Sequence, residues 1–221
     1  MRLLLIVIPI ILSIQSFGQD LNNFKSDMLK YSNQLTFLNE KQIAGSPYLN
    51  QHFISGVIIK TNGSEIKGIQ LRYNTYSHTM QFKKHGTIFD IAEPTNIKLI
   101  MMGDKKFVYA PYNVARKIRL SYFQVLNEGR IQLLKMHYVI YKGKSGNTEV
   151  VDSSRFEPSM PRYYLRYNNG TANLVSSQKK LIKILQPIPK SIINYIKEND
   201  TNVNDEKELI DLVEHTNNFM D

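Results

Sequence analysis

Two apolar periods divide the chain. Between His52 and Val175 apolar residues alternate with polar ones in short runs, and after Ser176 they return at intervals of three and four. The first period places alternate side chains on opposite faces of a strand, and the second builds one stripe along a helix. "HFISGVIIK" leads into Thr61-Asn62-Gly63-Ser64, and an Asn-Gly pair between apolar runs is a strong hairpin signal. The strand that follows carries Ile69, Leu71 and Tyr73 on one face and Gln70, Arg72 and Asn74 on the other. "TMQFKK", "TIFDIA", "NIKLIMM" and "KFVYAP" continue at close spacing, punctuated by His85-Gly86, Glu93-Pro94 and Gly103-Asp104, which predicts an antiparallel meander. A longer hairpin turns at Asn127 to Gly129, and its second arm, Arg130 to Lys142, sets Leu134, Met136, Tyr138 and Ile140 on one face. That arm would reach about 40 Å if extended, and strands of such length coil, as in half-barrels. After a weakly patterned stretch from Ser145 to Pro161, "RYYLRYNNGTANLV" forms a last hairpin with its turn at Asn169-Gly170.

The tail predicts three short helices. Ser176 or Ser177 caps the first, which carries Leu181, Ile184 and Leu185 and stops at Pro187. Pro189 suits the first turn of the second, with Ile192, Ile193 and Ile196 on its stripe. The third starts near Asn204, has Asp205 and Glu206 at the positive end of its dipole, and turns Leu209, Leu212, Val213 and Phe219 inward. Before His52 only Leu21, Phe24, Met28 and Tyr31 suggest a helical stripe, and "GSPYLN" at Gly45 to Asn50 reads as a loop. The expected fold is α+β and mainly β: a curved antiparallel meander or half-barrel-like sheet with short C-terminal helices packed on or beside it. The segments are 1–18, 19–51, 52–175 and 176–221.

Residues 1–18 have a different character. Arg2 precedes an apolar run from Leu3 to Leu12, and Ser16 and Gly18 provide small residues before Gln19, the layout of a cleaved secretory signal peptide. A membrane span needs about 20 apolar residues, roughly twice this run, so no transmembrane span is expected in the mature chain. The sequence has no cysteine, which rules out disulfides and a lipid anchor on a cysteine. About 200 residues remain, enough to bury a core without metal or disulfide. The net charge is +9 and falls by one with Arg2, which suits a neighbourhood of anionic envelope material. The basic residues are scattered as short pairs such as Lys83-Lys84 and Lys105-Lys106, the distribution of a solvated surface.

Catalytic signatures fail on inspection. Gly143-Lys144-Ser145 lacks the glycine that a phosphate loop needs five residues earlier, where Tyr138 stands. The Ser-x-x-Lys spacings at Ser176 and Ser177 have no Lys-Thr-Gly partner, and there is no G-x-S-x-G elbow. The histidines, His52, His78, His85, His137 and His215, show no close ligand spacing, so no metal or cofactor is expected. A hydrolase built on dispersed carboxylates would draw on Asp90, Glu93, Asp152 or Glu157. "RYYLRY" alternates basic and aromatic residues as single-strand binders do, but only Tyr164 shares a face with Arg162 and Arg166, so nucleic acid is disfavoured as a partner.

The tetrapeptide LRYN occurs twice, at Leu71–Asn74 and Leu165–Asn168. Composition alone yields about 0.3 such repeats, and the flanking residues do not align, so LRYN reads as a way of ending a strand on a turn-tolerant asparagine. Arg72, Tyr76 and Arg166 are the candidate contact residues, placed on strand or turn surfaces.

"GSPYLNQHF", the "TNG" hairpin, "LRYNTYSHTMQF" and the ending "IINYIKEN…ELIDLVEHTNNF" together resemble an uncharacterised family of exported Bacteroidetes proteins. The resemblance implies an envelope location, periplasmic or associated with the outer membrane, and transfers no catalytic residue. The expectation is a noncatalytic exported binding or structural module, its partner an anionic envelope component, a lipid or an envelope protein. The alternatives are a carrier of an apolar ligand such as lipid in a β cavity, and the hydrolase above. N-terminal mass spectrometry of protein from its natural host should find Gln19 as the first residue; a retained Met1 would contradict the signal peptide.

Overall fold

In a computed structural model of the chain, residues 29–31, 43–143 and 154–220 are described. The expected cleavage site, Leu21, Phe24, Met28 and Asp152 lie outside them. Among these residues eleven strands form one sheet: β1 (Leu29–Tyr31), β2 (Ile54–Lys60), β3 (Glu65–Asn74), β4 (Thr79–Lys84), β5 (Thr87–Ile91), β6 (Ile97–Met102), β7 (Lys105–Val114), β8 (Lys117–Val125), β9 (Ile131–Lys142), β10 (Arg155–Tyr167) and β11 (Asn173–Leu174). Three helices follow, α1 (Gln178–Leu185), α2 (Lys190–Glu198) and α3 (Glu206–Asn218). The fold is thus mainly antiparallel β, a curled half-barrel sheet with C-terminal helices. Tyr31, expected on a helical stripe, is on a strand, opposite Phe89.

The order β1-β5-β4-β3-β2-β6-β7-β8-β9-β10-β11 departs from a simple meander once. After β5 a 3-10 turn at Pro94–Asn96 carries the chain back across the sheet, and Thr61 N–H donates to the Asn96 carbonyl at 3.0 Å. That contact seats the crossover beside the β2–β3 hairpin, so β6 pairs with β2 rather than with β5. At the far end β11 returns to β7: Ala172 N–H donates to the Pro111 carbonyl at 2.8 Å, and Asn113 N–H donates to Ala172 at 3.0 Å. Strands β7 to β11 therefore wrap toward a ring.

This curl divides the interior into three cores. The first is built on β2 to β8 and holds Leu71, Tyr73, Phe82, Phe107 and Tyr122. The second lies inside the β7–β11 wrap and holds Phe123, Leu134, Met136 and Tyr164. The third lies between the sheet and the helices, where Leu133, Tyr163 and Leu165 meet Leu181, Ile192, Ile196 and Leu212. Each fully buried aliphatic side chain contributes about 1.5–3 kcal/mol. Consecutive residues feed different cores, since Tyr122 and Phe123 point to opposite sides of β8.

The helix caps form as their sequence implies. Ser177 Oγ accepts from Lys180 N–H at 3.2 Å, and Asp205 Oδ1 accepts from Glu208 N–H at 3.0 Å. Pro189 is the residue before α2 rather than part of its first turn. Phe219 is 55% exposed instead of inward, because it follows the end of α3 and the stripe through Leu212, Val213 and Thr216 continues to Met220. Ile140 is 51% exposed because β9 runs past the core. Strand β10 begins seven residues earlier than the apolar hairpin suggests, and it accommodates Pro161 at a register shift between Ser159 and Arg162, with Pro158 still paired opposite Val139 just before it. Proline is tolerated at the shift because the ladder is already interrupted.

One polar side chain fixes the corner between β8 and β9. Asn217 Oδ1 accepts from Ile131 N–H at 2.8 Å and its Nδ2 donates to the Ile131 carbonyl at 2.9 Å. Asn127 Oδ1 takes the Leu133 N–H from the other side at 2.6 Å. Gly129 is required beside them: its φ is +136°, and a Cβ there would sit 2.5 Å from Asn217 Nδ2. Asn217→Ala should lower the unfolding free energy by about 1–3 kcal/mol, because the buried Ile131 N–H is orphaned while its carbonyl keeps Asn127 Nδ2 at 3.2 Å, whereas exposed Asn218→Ala should cost under about 0.5 kcal/mol. Urea unfolding measures both, and equal losses would remove the clamp from the explanation.

Candidate functional site

The loop from Ile43 to Gln51 joins two distant parts of the sheet. Phe156 N–H donates to the Ala44 carbonyl at 2.8 Å, while Leu49 N–H donates to the Tyr73 carbonyl at 3.0 Å. Thr75 closes the same seam, with both its N–H and its hydroxyl donating to the Pro47 carbonyl at 2.8 Å. Gly45 has φ +78°, and a Cβ on it would lie 2.2 Å from the Phe156 carbonyl oxygen. The loop can therefore approach β10 this closely only without a side chain there.

Arg72 lies beside this seam. Its guanidinium carbon is 3.5 Å from the centre of the Tyr48 ring and 4.5 Å from that of Phe53, distances at which a cation is attracted by the ring faces. Its Nε and Nη2 donate to Gln81 Oε1 at 3.2 and 2.9 Å, and Gln81 Nε2 donates to Asp90 Oδ1 at 3.0 Å. Arg72, Gln81 and Asp90 stand directly opposite one another on β3, β4 and β5, so the register itself builds this row on the face away from Leu71 and Tyr73. Arg72 is half-buried and held flat, with Gln81 and then Asp90 in a row behind it.

Tyr76, in the turn after β3, is 43% exposed. It meets Phe156 edge-on at 5.4 Å and Tyr141 at 6.4 Å, and its backbone is set by Asn74 Oδ1, which accepts from Tyr76 N–H at 3.0 Å. Phe156 connects the two candidates: with Arg72, Tyr48 and Gln51 it lines a recess of about 180 Å³, and it also lines the adjoining cleft of about 430 Å³ beside His137 and Tyr138. The structure thus brings Arg72 and Tyr76 into one neighbourhood.

Arg166 is elsewhere, and it is only 5% exposed. The expectation of a surface position fails because the inner face of β10 is enclosed by the curl, with Tyr164 in the second core beside it. Its Nε donates to Gln132 Oε1 at 2.7 Å, directly opposite on β9. Burial draws its guanidinium below the ordinary arginine value. It borders a cleft of about 540 Å³ with Lys98, Lys106, Tyr109 and Glu128. Both LRYN arginines therefore hold a glutamine opposite them on the neighbouring strand, and both motifs end their strands. Asn168 has φ +44°, the left-handed turn position, whereas Asn74 turns the chain with its side chain. The glutamine partners and the stacking rings were not legible in advance, because they depend on register and on a loop.

Of the carboxylates weighed for hydrolysis, the three that are described are engaged locally. Asp90 accepts from Gln81, Glu93 Oε2 accepts from Asn96 Nδ2 at 2.6 Å, and Glu157 pairs with both Arg155 and Lys142. Those two cations hold the Glu157 carboxyl below the ordinary carboxylate value, Lys142 most strongly. Burial pushes the Tyr73 hydroxyl far up; it lies 3.2 Å from His78 Nδ1, and burial pulls His78 down. Among the described residues no three of His, Asp and Glu converge where they could hold a metal ion. No family model, curated protein or solved structure matches the chain.

His137 is drawn down to about 4, mainly by burial and further by Lys135, against an opposing pull from Glu206. A depressed histidine favours the fold while neutral: the unfolded chain takes up its proton first, near 6.5, and the folded one only near 4. Its stabilisation is therefore complete above about pH 6.5 and is lost as pH falls toward 4, amounting to about 2–3 kcal/mol. Urea unfolding from pH 7.5 to 4.5 should show the loss, and His137→Gln should flatten it. An unchanged slope in the variant would assign the effect to other groups.

Proposed function

We propose that this protein is a noncatalytic exported binding or structural module that acts at the cell envelope through the Arg72–Tyr76 surface. The observation that carries the reading is the presentation of Arg72, a guanidinium lying over Tyr48 and Phe53 in a recess that shares Tyr48, Gln51 and Phe156 with a larger cleft. A cation stacked on rings and braced by Gln81 loses little side-chain freedom when it meets a partner, so the ordering cost of recognition is reduced in advance. Tyr76 adds an exposed amphipathic ring to the same patch.

Two further features support this reading over its alternatives. Leu71, Tyr73 and Phe82 in the first core, and Met136 in the second, are closely packed rather than lining a void, which favours surface recognition over enclosure of an apolar cargo. Asp90, Glu93 and Glu157, the described carboxylates considered for hydrolysis, are occupied in local pairs, and Glu157 is flanked by two cations. No helix among the described residues is long and apolar enough to cross a membrane. The secretory layout of residues 1–18, the basic charge and the resemblance to exported Bacteroidetes proteins support the envelope as the place of action.

Native mass spectrometry, with lipid extraction, of protein purified from its own envelope should recover a reproducible partner. Tyr76→Ser should reduce that recovery with little loss of stability. Arg72→Lys, which keeps the charge but loses the planar fork, should reduce it as well. Recovery of no partner, or the same recovery from wild type and both variants, would remove support for a binding surface here.

A further inference from the structure

The two LRYN arginines differ in one respect. Arg72 has rings on its face and Asp90 behind its glutamine, whereas Arg166, the more deeply buried of the two, has Gln132 alone. Arg166 forms no ion pair and stacks on no ring among the described residues. Guanidinium stays protonated at physiological pH, and burying a charge without a counter-charge is costly. One uncharged acceptor on Nε leaves the two terminal amino groups for something else, and the side chain lines an open cleft.

We propose that the cleft around Arg166 binds a phosphate monoester, with the Arg166 guanidinium and the Lys98 and Lys106 ammonium groups as its ligands. This cleft is separate from the Arg72–Tyr76 surface, so the inference goes beyond the binding-module reading and adds a second site of stated chemistry. The charges lining the cleft favour a doubly charged anion over a carboxylate: Arg166, Lys98 and Lys106 are positive, and Glu128, paired with Lys106, is the one acid among the lining residues. A phosphate monoester carries about −1.5 to −2 at neutral pH, and the flat fork of arginine matches two of its oxygens. The cleft, about 540 Å³, is much larger than a phosphate group, and Tyr109 and Pro111 give it an apolar wall for the organic part of the ester. The same chemistry is offered by a lipid headgroup and by a soluble sugar or glycerol phosphate.

The test uses the purified full chain in phosphate-free buffer. Calorimetric titration with glycerol 3-phosphate, with glycerol as the uncharged control, reads a soluble ester. Co-sedimentation with phosphatidylcholine vesicles, with and without phosphatidic acid, reads a headgroup. Saturable binding to either phosphate probe is expected. Arg166→Gln, which keeps an amide opposite Gln132, should weaken it about tenfold or more. Lys98→Ala, an exposed position that spares the fold, should weaken it several-fold. Arg119→Ala, at the exposed β7–β8 hairpin, should leave it unchanged. Binding of vesicles alone assigns the site to a headgroup, and binding of glycerol 3-phosphate assigns it to a soluble ester. No saturable binding to either probe overturns the proposal. So does binding indifferent to Arg166→Gln and Lys98→Ala, and so does an equal loss in Arg119→Ala, which would mark diffuse charge attraction. A chain that associates with the envelope through Arg72 yet binds neither phosphate probe overturns this inference alone. A chain that binds phosphate through Arg166 yet recovers no envelope partner leaves the cleft standing and removes the Arg72 surface.

Discussion

Burial of the middle of β8, Ser121 to Phe123, on both faces is the constraint around which the sheet is arranged. Tyr122 enters the core shared with Tyr73 and Phe107, and Phe123 enters the core shared with Leu134 and Tyr164. A strand of this kind needs apolar cover on each side, which one flat sheet with a solvated face does not provide. The chain meets that need by curling β2 to β6 over one face and wrapping β9 to β11 around the other. Pairing between β8 and β9 consequently shrinks to Gln124 with Lys135 and Val125 with Leu134. Where the ladder is that short, side chains take over: Asn217 and Asn127 satisfy the backbone that the neighbouring strand leaves.

Much of this was legible in the alternation. Strand positions, the Asn62-Gly63 and Asn169-Gly170 turns, the helix caps and the outward direction of Arg72 all follow from local chemistry that acts within a few residues. The two-sided burial was signalled too, in Tyr122-Phe123, Leu133-Leu134 and Tyr163-Tyr164-Leu165, where adjacent apolar residues break the period of two. Reading each strand for one apolar face misses that signal, and this is why Arg166 was expected at the surface. The crossover that places β6 beside β2, the seam made by residues 43–51 and the glutamines opposite both arginines depend on contacts between segments far apart in sequence. No local pattern encodes them.

The repeated tetrapeptide illustrates how identical local chemistry diverges in its surroundings. In both copies an arginine on the face opposite Tyr73 or Tyr167 meets a cross-strand glutamine, and in both an asparagine follows at the turn. The first copy gained two aromatic plates from the residues before β2, together with a carboxylate behind its glutamine. The second faces the inside of the curl, next to lysines. One is a stabilised cation presented at a rim, and the other is a buried cation beside an open volume. Their difference arises from tertiary placement and not from the motif.

The Asn217 clamp bears on how the molecule is assembled. It unites residues separated by 86 positions, and the β8–β9 corner it completes is the junction between the first core and the wrapped strands. During synthesis the ribosome delivers β8 and β9 long before α3, so both faces of that junction await a segment still to emerge. Contacts of such long range make for slow, late-closing folding, and an unfinished strand edge is prone to pair with other chains.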